Sequence, residues 1–205
     1  PPKLYDLTTL QRDANRLFGF TAKQTLEYTQ SLYEKKLVTY PRTDSQYLSD
    51  DMEGTARNVI EAIFNSLLFE QNIMFNPDVK TVLNSKKVTD HHAIIPTMEI
   101  VKQDLKAIPE SEMKILSLCA NRLLCATAEK HIYNSTKAEL ICNGMVFKVS
   151  GKEIWKNGWK DFEDFFKNSY KTTEDKKDSD DTKKLPELTE GMTITVEDTR
   201  VSEHF

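Results

Sequence analysis

The sequence predicts an α+β fold, with a mostly helical stretch over residues 1–132 followed by a β-rich stretch over 133–205. Three observations predict it. Apolar residues recur at helical spacing in four separate blocks of the first stretch. An Asn143-Gly144 pair then divides two runs rich in Leu, Ile, Val and Phe, which is a hairpin signature. The composition is that of a folded protein: of 205 residues, 39% are hydrophobic and 29% charged, enough to bury a core without disulfide staples.

The first helix places Leu10, Ala14, Leu17 and Phe18 on one face, and Gly19 stops it. Thr21 caps the second, whose expected inward stripe is Leu26, Thr29 and Tyr33. Lys35 and Lys36 suit the dipole at its C-terminus. Residues 37–44 read as extended, because Pro41 lacks an N–H and biases Tyr40 toward β or polyproline geometry. A third helix starts after Ser49 with Asp50 and Asp51 in its first turn. Its stripe is Met52, Ala56, Val59, Ile60, Ile63 and Leu67. Residues 72–110 are irregular, punctuated by Pro77, Pro96 and Pro109. A fourth helix covers 111–128 with Leu116, Cys119, Leu123 and Leu124 inward.

The period then changes. Residues 133–150 form a hairpin about Asn143-Gly144, and Thr193–Val196 is a further strand candidate. The charged tract 167–184 reads as a loop without chemistry. Trp155, Trp159, Phe162, Phe165 and Phe166 are expected in the core of a small β domain, with base stacking as the alternative for the two tryptophans.

No apolar run is long enough to span a bilayer, and no signal peptide is expected. Cys119, Cys125 and Cys142 are odd in number and contain no CxxC, which excludes a disulfide framework and a zinc ribbon and suits a reducing interior. The opening Pro1-Pro2-Lys3 reads as the start of an excised piece of a longer protein. A net charge of −4 argues against strong nonspecific nucleic-acid affinity in this chain alone.

The chemistry concentrates in two clusters. In the extended run Thr39-Tyr40-Pro41-Arg42-Thr43-Asp44-Ser45, alternation turns Tyr40, Arg42 and Asp44 to one side. A phenol is a weak nucleophile at neutral pH. A neighbouring guanidinium favours the phenolate and can also grip a phosphate through two parallel hydrogen bonds. Asp44 would orient Arg42. The alternative is a surface turn with an Arg–Asp pair and a packed Tyr. The second cluster is His91-His92-Ala93-Ile94-Ile95-Pro96-Thr97. Adjacent histidines cannot both face one site, and no further ligand stands at metal spacing. One of them can donate to a phosphate; the alternative is loop histidines bonded locally. There is no glycine-rich phosphate loop, and the Asp-x-Asp run Asp178-Ser179-Asp180 falls in the charged tract read as a loop without chemistry.

Taken together, Leu10-Gln11, the run 18–23, Leu32-Tyr33-Glu34, the run 37–45 and His91–Thr97 resemble the type IA DNA topoisomerases. The Tyr-Pro-Arg and His-His-Ala-Ile-Ile-Pro-Thr forms most resemble the bacterial topoisomerase III branch. The match is specific over most of 1–130. It is looser from 138 to 205, where the hairpin and Gly158-Trp159 resemble the family's β-rich arch. The resemblance implies that residues 1–132 are the nucleophile domain and 133–205 part of the arch. Tyr40 would form a 5′-phosphotyrosine bond with one DNA strand. Arg42 would bind the scissile phosphate, His91 would contact the phosphate region, Thr43 would touch DNA, and Asp44 would tune Arg42. His92 matches a variable position.

The resemblance further implies Mg²⁺, held by an N-terminal acidic domain outside this chain, and no ATP, because the covalent bond conserves the energy for religation. Implied partners are single-stranded DNA and that acidic domain, in the cytoplasm at the nucleoid, with no membrane. The chain alone is expected not to relax DNA. The alternative from another class is a non-catalytic DNA-binding module, which predicts that Tyr40→Phe changes nothing and that one face is compactly basic. A recombinase or relaxase is disfavoured for want of dispersed Arg and His groups or of a metal-binding His cluster.

Overall fold

Helix α1 (Leu7–Phe18) starts where the Asp6 carboxylate accepts from the Thr9 N–H at 2.7 Å, and ends at Gly19 with φ +69°. The computed structural model describes residues 1–66, 75–170, 184–195 and 198. Helix α2 (Ala22–Glu34) opens with a reciprocal capping box between Thr21 and Gln24. Its buried stripe is Thr25, Thr29 and Leu32, one register away from the expected Leu26, Thr29 and Tyr33. The reason is local. The Thr25 hydroxyl donates to the Thr21 carbonyl at 3.0 Å and the Thr29 hydroxyl to the Thr25 carbonyl at 2.6 Å. With their polar atoms satisfied inside the helix, these threonines bury as hydrocarbon.

A turn of 3₁₀ helix over Asp50–Met52 leads into α3 (Glu53–Phe64), which buries Ala56, Val59, Ile60, Ala62 and Ile63. Leu67 lies outside the described residues. From 75 to 109 the chain makes short 3₁₀ turns. Helix α4 (Glu110–Thr127) is buried without a break from Ile115 to Ala120 and again from Leu123 to Thr127. A helix covered on all sides is the central element, and α1, α2, α3 and α5 (Lys160–Tyr170) all pack on it. No described helix is long and apolar enough to cross a membrane.

The described residues fall into two units. One comprises Pro1–Ile132 with the described part of Lys156–Lys177, the other Tyr133–Trp155 with the described part of Asp178–Phe205. The return at Lys156 relocates the aromatics expected in a β domain. Phe162 and Phe166 are buried in the helical core, with Trp159 and Phe165 packed against it. Phe75 meets Phe162 at 4.9 Å, and Phe18 meets Tyr170 at 5.1 Å. Phe162 and Phe166, four apart on α5, form an apolar stripe that the sheet-based expectation overlooked. Trp155, by contrast, is 72% exposed.

The second unit carries the antiparallel hairpin of β1 (Ile132–Cys142) and β2 (Met145–Lys156). Asn143 (φ +48°) and Gly144 (φ +79°) make its turn, both left-handed as a two-residue hairpin loop requires. Thr193–Thr195 form no strand, having no neighbouring strand to pair with among the described residues, and Val196 lies outside them. Of the expected loop 167–184, residues 167–170 are the last turn of α5, and 171–183 lie outside the described residues.

Candidate active site

Helix α2 ends at Glu34, and a left-handed Lys36 (φ +62°) reverses the chain. Lys36 and Leu37 donate to the carbonyls of Tyr33 and Leu32, both at 2.8 Å. Glu112 of α4 pins this corner, accepting from the Ser31 hydroxyl at 3.0 Å and pairing with Lys35. The chain therefore leaves α2 in a set direction, as an extended segment.

That segment lies antiparallel to residues 91–97. Thr39 N donates to the Ile95 carbonyl and Thr97 N to the Leu37 carbonyl, each at 3.0 Å. Val38 and Pro96 stand opposite each other between these two bonds. No N–H is needed at that position, which is why a proline sits there without loss. On its other edge the same strand bridges Tyr5 to Ile94. Tyr5 is anchored in turn. Its hydroxyl donates to Asp13 at 2.8 Å and accepts from Arg122 at 2.7 Å, and the guanidinium lies 4.1 Å above its ring.

Alternation holds along 40–45. Tyr40 is half-buried and Arg42 and Asp44 are exposed, while Pro41, Thr43 and Ser45 are buried. The buried hydroxyls fix the opposing loop. Thr43 donates to the His91 carbonyl at 2.8 Å and accepts from the Ser45 N–H at 3.1 Å. Ser45 donates to the Lys87 carbonyl at 2.8 Å. Thr43, expected to touch DNA, is thus turned inward and holds the histidine loop.

The Tyr40 ring lies against the His91 ring with centroids 4.3 Å apart, and meets the Tyr33 ring edge-on at 5.3 Å. His92 turns the other way, its Nδ1 at 2.9 Å from the Ala93 carbonyl oxygen. Arg42 has no hydrogen bond or ion pair among the described residues. It is not paired with Asp44, contrary to expectation: Asp44 accepts from the Thr89 hydroxyl at 3.2 Å. Thr89, arriving from another segment, engages the Asp44 carboxylate instead.

Tyr33 escaped the sequence reading as a neighbour of Tyr40. A signal existed in the helix stop at Lys35-Lys36, because a reversal there folds the next segment back along α2. The site is open, and the clefts of about 380 and 460 Å³ elsewhere in the first unit are not lined by Tyr40, Arg42 or His91. Among the described residues no group of three or more His, Cys, Asp or Glu is placed to hold a metal ion.

Comparison with known proteins gives a consistent result. A family model described as DNA topoisomerase matches residues 1–205. DNA topoisomerase 3 of Bacillus licheniformis is 40% identical over 203 residues, an alignment covering 95% of this chain and 26% of that protein. The Bacillus subtilis protein of the same name is 38% identical over 203 residues, with 95% and 26% covered. The chain thus spans about a quarter of the length of these relatives. Among solved structures, full-length topoisomerase I from Thermotoga maritima superposes with a TM-score of 0.57 at 26% identity, covering 79% of this chain and 27% of that one.

Proposed function

The chain belongs to the DNA topoisomerase family, on its type IA, topoisomerase III-like branch, and from that premise we propose that Tyr40 is the nucleophile with which the intact protein cuts one DNA strand. The phenol oxygen attacks the scissile phosphorus. A P–O bond to Tyr40 forms as the bond to the 3′-oxygen breaks, and the phenol proton ends on the released 3′-hydroxyl. The DNA end stays attached as a 5′-phosphotyrosine. One phosphodiester replaces another, so religation is the reverse step and needs no ATP.

The observation that carries this reading is the common outward side of Tyr40 and Arg42 on a segment locked against His91. Arg42 is exposed and has no partner among the described residues, which suits it to grip the phosphate through paired N–H groups and to stabilise the charge that develops on it. The imidazole of His91, its ring 4.3 Å from that of Tyr40 and tilted 44° to it, would donate to a phosphate oxygen. Single-stranded DNA as substrate, passage of a second strand, and completion of the site by an acidic metal-binding domain belong to the same proposal. So does inactivity of this chain alone.

The test is covalent trapping in the intact protein with Mg²⁺ and labelled single-stranded DNA. After denaturation, label should remain on the protein and map to Tyr40 by mass spectrometry, and Tyr40→Phe should abolish it. Absence of an adduct where DNA still binds would leave a binding module.

A further inference from the structure

Two lysines converge on a tyrosine at the far end of the segment that carries Tyr40. Lys87 Nζ lies 4.9 Å and Lys3 Nζ 5.5 Å from the centre of the Tyr47 ring. Both lysines are exposed and Tyr47 is half-buried. Neither ammonium pairs with a carboxylate among the described residues. Desolvation is the largest single influence on the Tyr47 phenol and raises it. Hydrogen bonding to Lys87 and the charges of Lys3 and Lys87 together exceed it, and the net shift is downward. Two like charges crowded about one phenol repel each other, and an anion placed between them removes that cost.

The backbone that carries these three side chains is held in place. Ser45 fixes the Lys87 carbonyl in the same way that Thr43, two residues earlier, fixes that of His91. The Tyr47 carbonyl accepts from Ala93 N at 2.9 Å. Lys3 precedes the buried Leu4 and Tyr5, and Tyr5 bridges to Ile94. One ribbon therefore carries the Tyr40–His91 pair and the Lys3–Tyr47–Lys87 group, with Tyr47 at most about 23 Å from Tyr40 along an extended chain. Beside the group opens the cleft of about 380 Å³, lined among others by Lys3, Gln46, Tyr47 and Lys130.

We propose that Lys3, Tyr47 and Lys87 form a station for a backbone phosphate of the DNA strand, remote from the cut, with two ammoniums and one hydroxyl as its donors. Lysine and tyrosine contacts of this kind set the register of a strand without reading its bases. The inference rests on the reading of the chain as a strand-cutting domain.

The test measures binding of a labelled oligothymidylate to the intact protein, carrying Tyr40→Phe to prevent cleavage, by fluorescence anisotropy over a series of salt concentrations. Removing both lysines (Lys3→Gln, Lys87→Gln) should weaken binding about tenfold at low salt. It should also flatten the slope of log K against log salt by about 0.7, the value for one phosphate on a single strand. Tyr47→Phe keeps the ring, loses the hydroxyl and should weaken binding about fivefold. Unchanged affinity and slope in both variants, with unaltered thermal melting, overturn the inference. So does competition by inorganic phosphate alone that saturates the site while DNA binding is unaffected, since the anion would then be a free one. Trapping in the Tyr40 protein separates the two readings. An adduct with unchanged slopes overturns the station alone, and no adduct with altered slopes overturns the nucleophile alone.

Discussion

The ring of Tyr33 meets the ring of Tyr40 edge-on, with centroids 5.3 Å and planes 79° apart, while His91 lies against the Tyr40 ring at 4.3 Å. The phenol is thereby aimed from two sides by rings that share no stretch of sequence. An edge-to-face pair contributes about 0.5–1.5 kcal/mol beyond its burial. Tyr33→Ala should slow adduct formation in the intact protein by about 2- to 10-fold, with Tyr33→Phe restoring it. Rapid-quench kinetics at saturating DNA separate this positioning effect from weaker binding, and equal rates for Ala and Phe would refute it.

Thr43 is 8% exposed, and its hydroxyl bridges the His91 carbonyl and the Ser45 N–H. Removing it leaves a carbonyl and an N–H short of a partner. Thr43→Val should cost about 1–3 kcal/mol in urea unfolding, with Thr43→Ser retaining most of the stability. The loss of cleavage should exceed what the unfolded fraction explains, because the histidine loop is released.

Gly158 has φ +57°, and a Cβ there would collide with the carbonyl oxygens of Glu129 and Lys130. The tight approach is the one that lets Trp159 N donate to the Glu129 carbonyl at 2.9 Å. Gly158→Ala should destabilise by about 3 kcal/mol. Gly19→Ala, with a similar φ but open space around it, should cost about 1 kcal/mol. Paired thermal melts of the two variants check the contrast.

Burial pushes the thiols of Cys119 and Cys125 up to about 12, with Arg122 pulling weakly the other way. Cys142 is exposed. Iodoacetamide at pH 8 should label Cys142 at least about 100-fold faster than the other two, read by peptide mass spectrometry. The sign of the stability effect follows from the raised values. The folded state holds these protons longer than the unfolded chain, so their contribution is complete below about pH 8.5 and is lost as pH climbs toward 12. Unfolding free energies measured from pH 8 to 11 should fall accordingly.

What was legible in the sequence was local. Gly19, the Thr21 cap and the Asn143-Gly144 turn each act on their immediate neighbours, and each is where the sequence puts it. The α2 stripe misled because Thr25 hides its hydroxyl inside the helix, which a hydrophobicity pattern does not register. Phe162 and Phe166 were assigned to the wrong partner because the return of the chain to α4 depends on Glu129 and Gly158 coming together, a contact between distant positions. At the candidate site, the outward side shared by Tyr40 and Arg42 follows from period-two alternation. Asp44 did not follow it to Arg42, because Thr89 arrives from another segment.

The hairpin leaves and re-enters the helical unit through a single doorway. Trp159 N reaches the Glu129 carbonyl at 2.9 Å, and His131 Nδ1 lies 3.1 Å from the Asn157 carbonyl oxygen. An excursion whose two ends are stitched side by side behaves as a cassette. Adding two residues to each strand lengthens the hairpin by about 7 Å, keeps every side chain on its original face and asks nothing of the stitch. The length of the hairpin is therefore free to vary while Glu129, His131, Asn157 and Trp159 keep the same bonds.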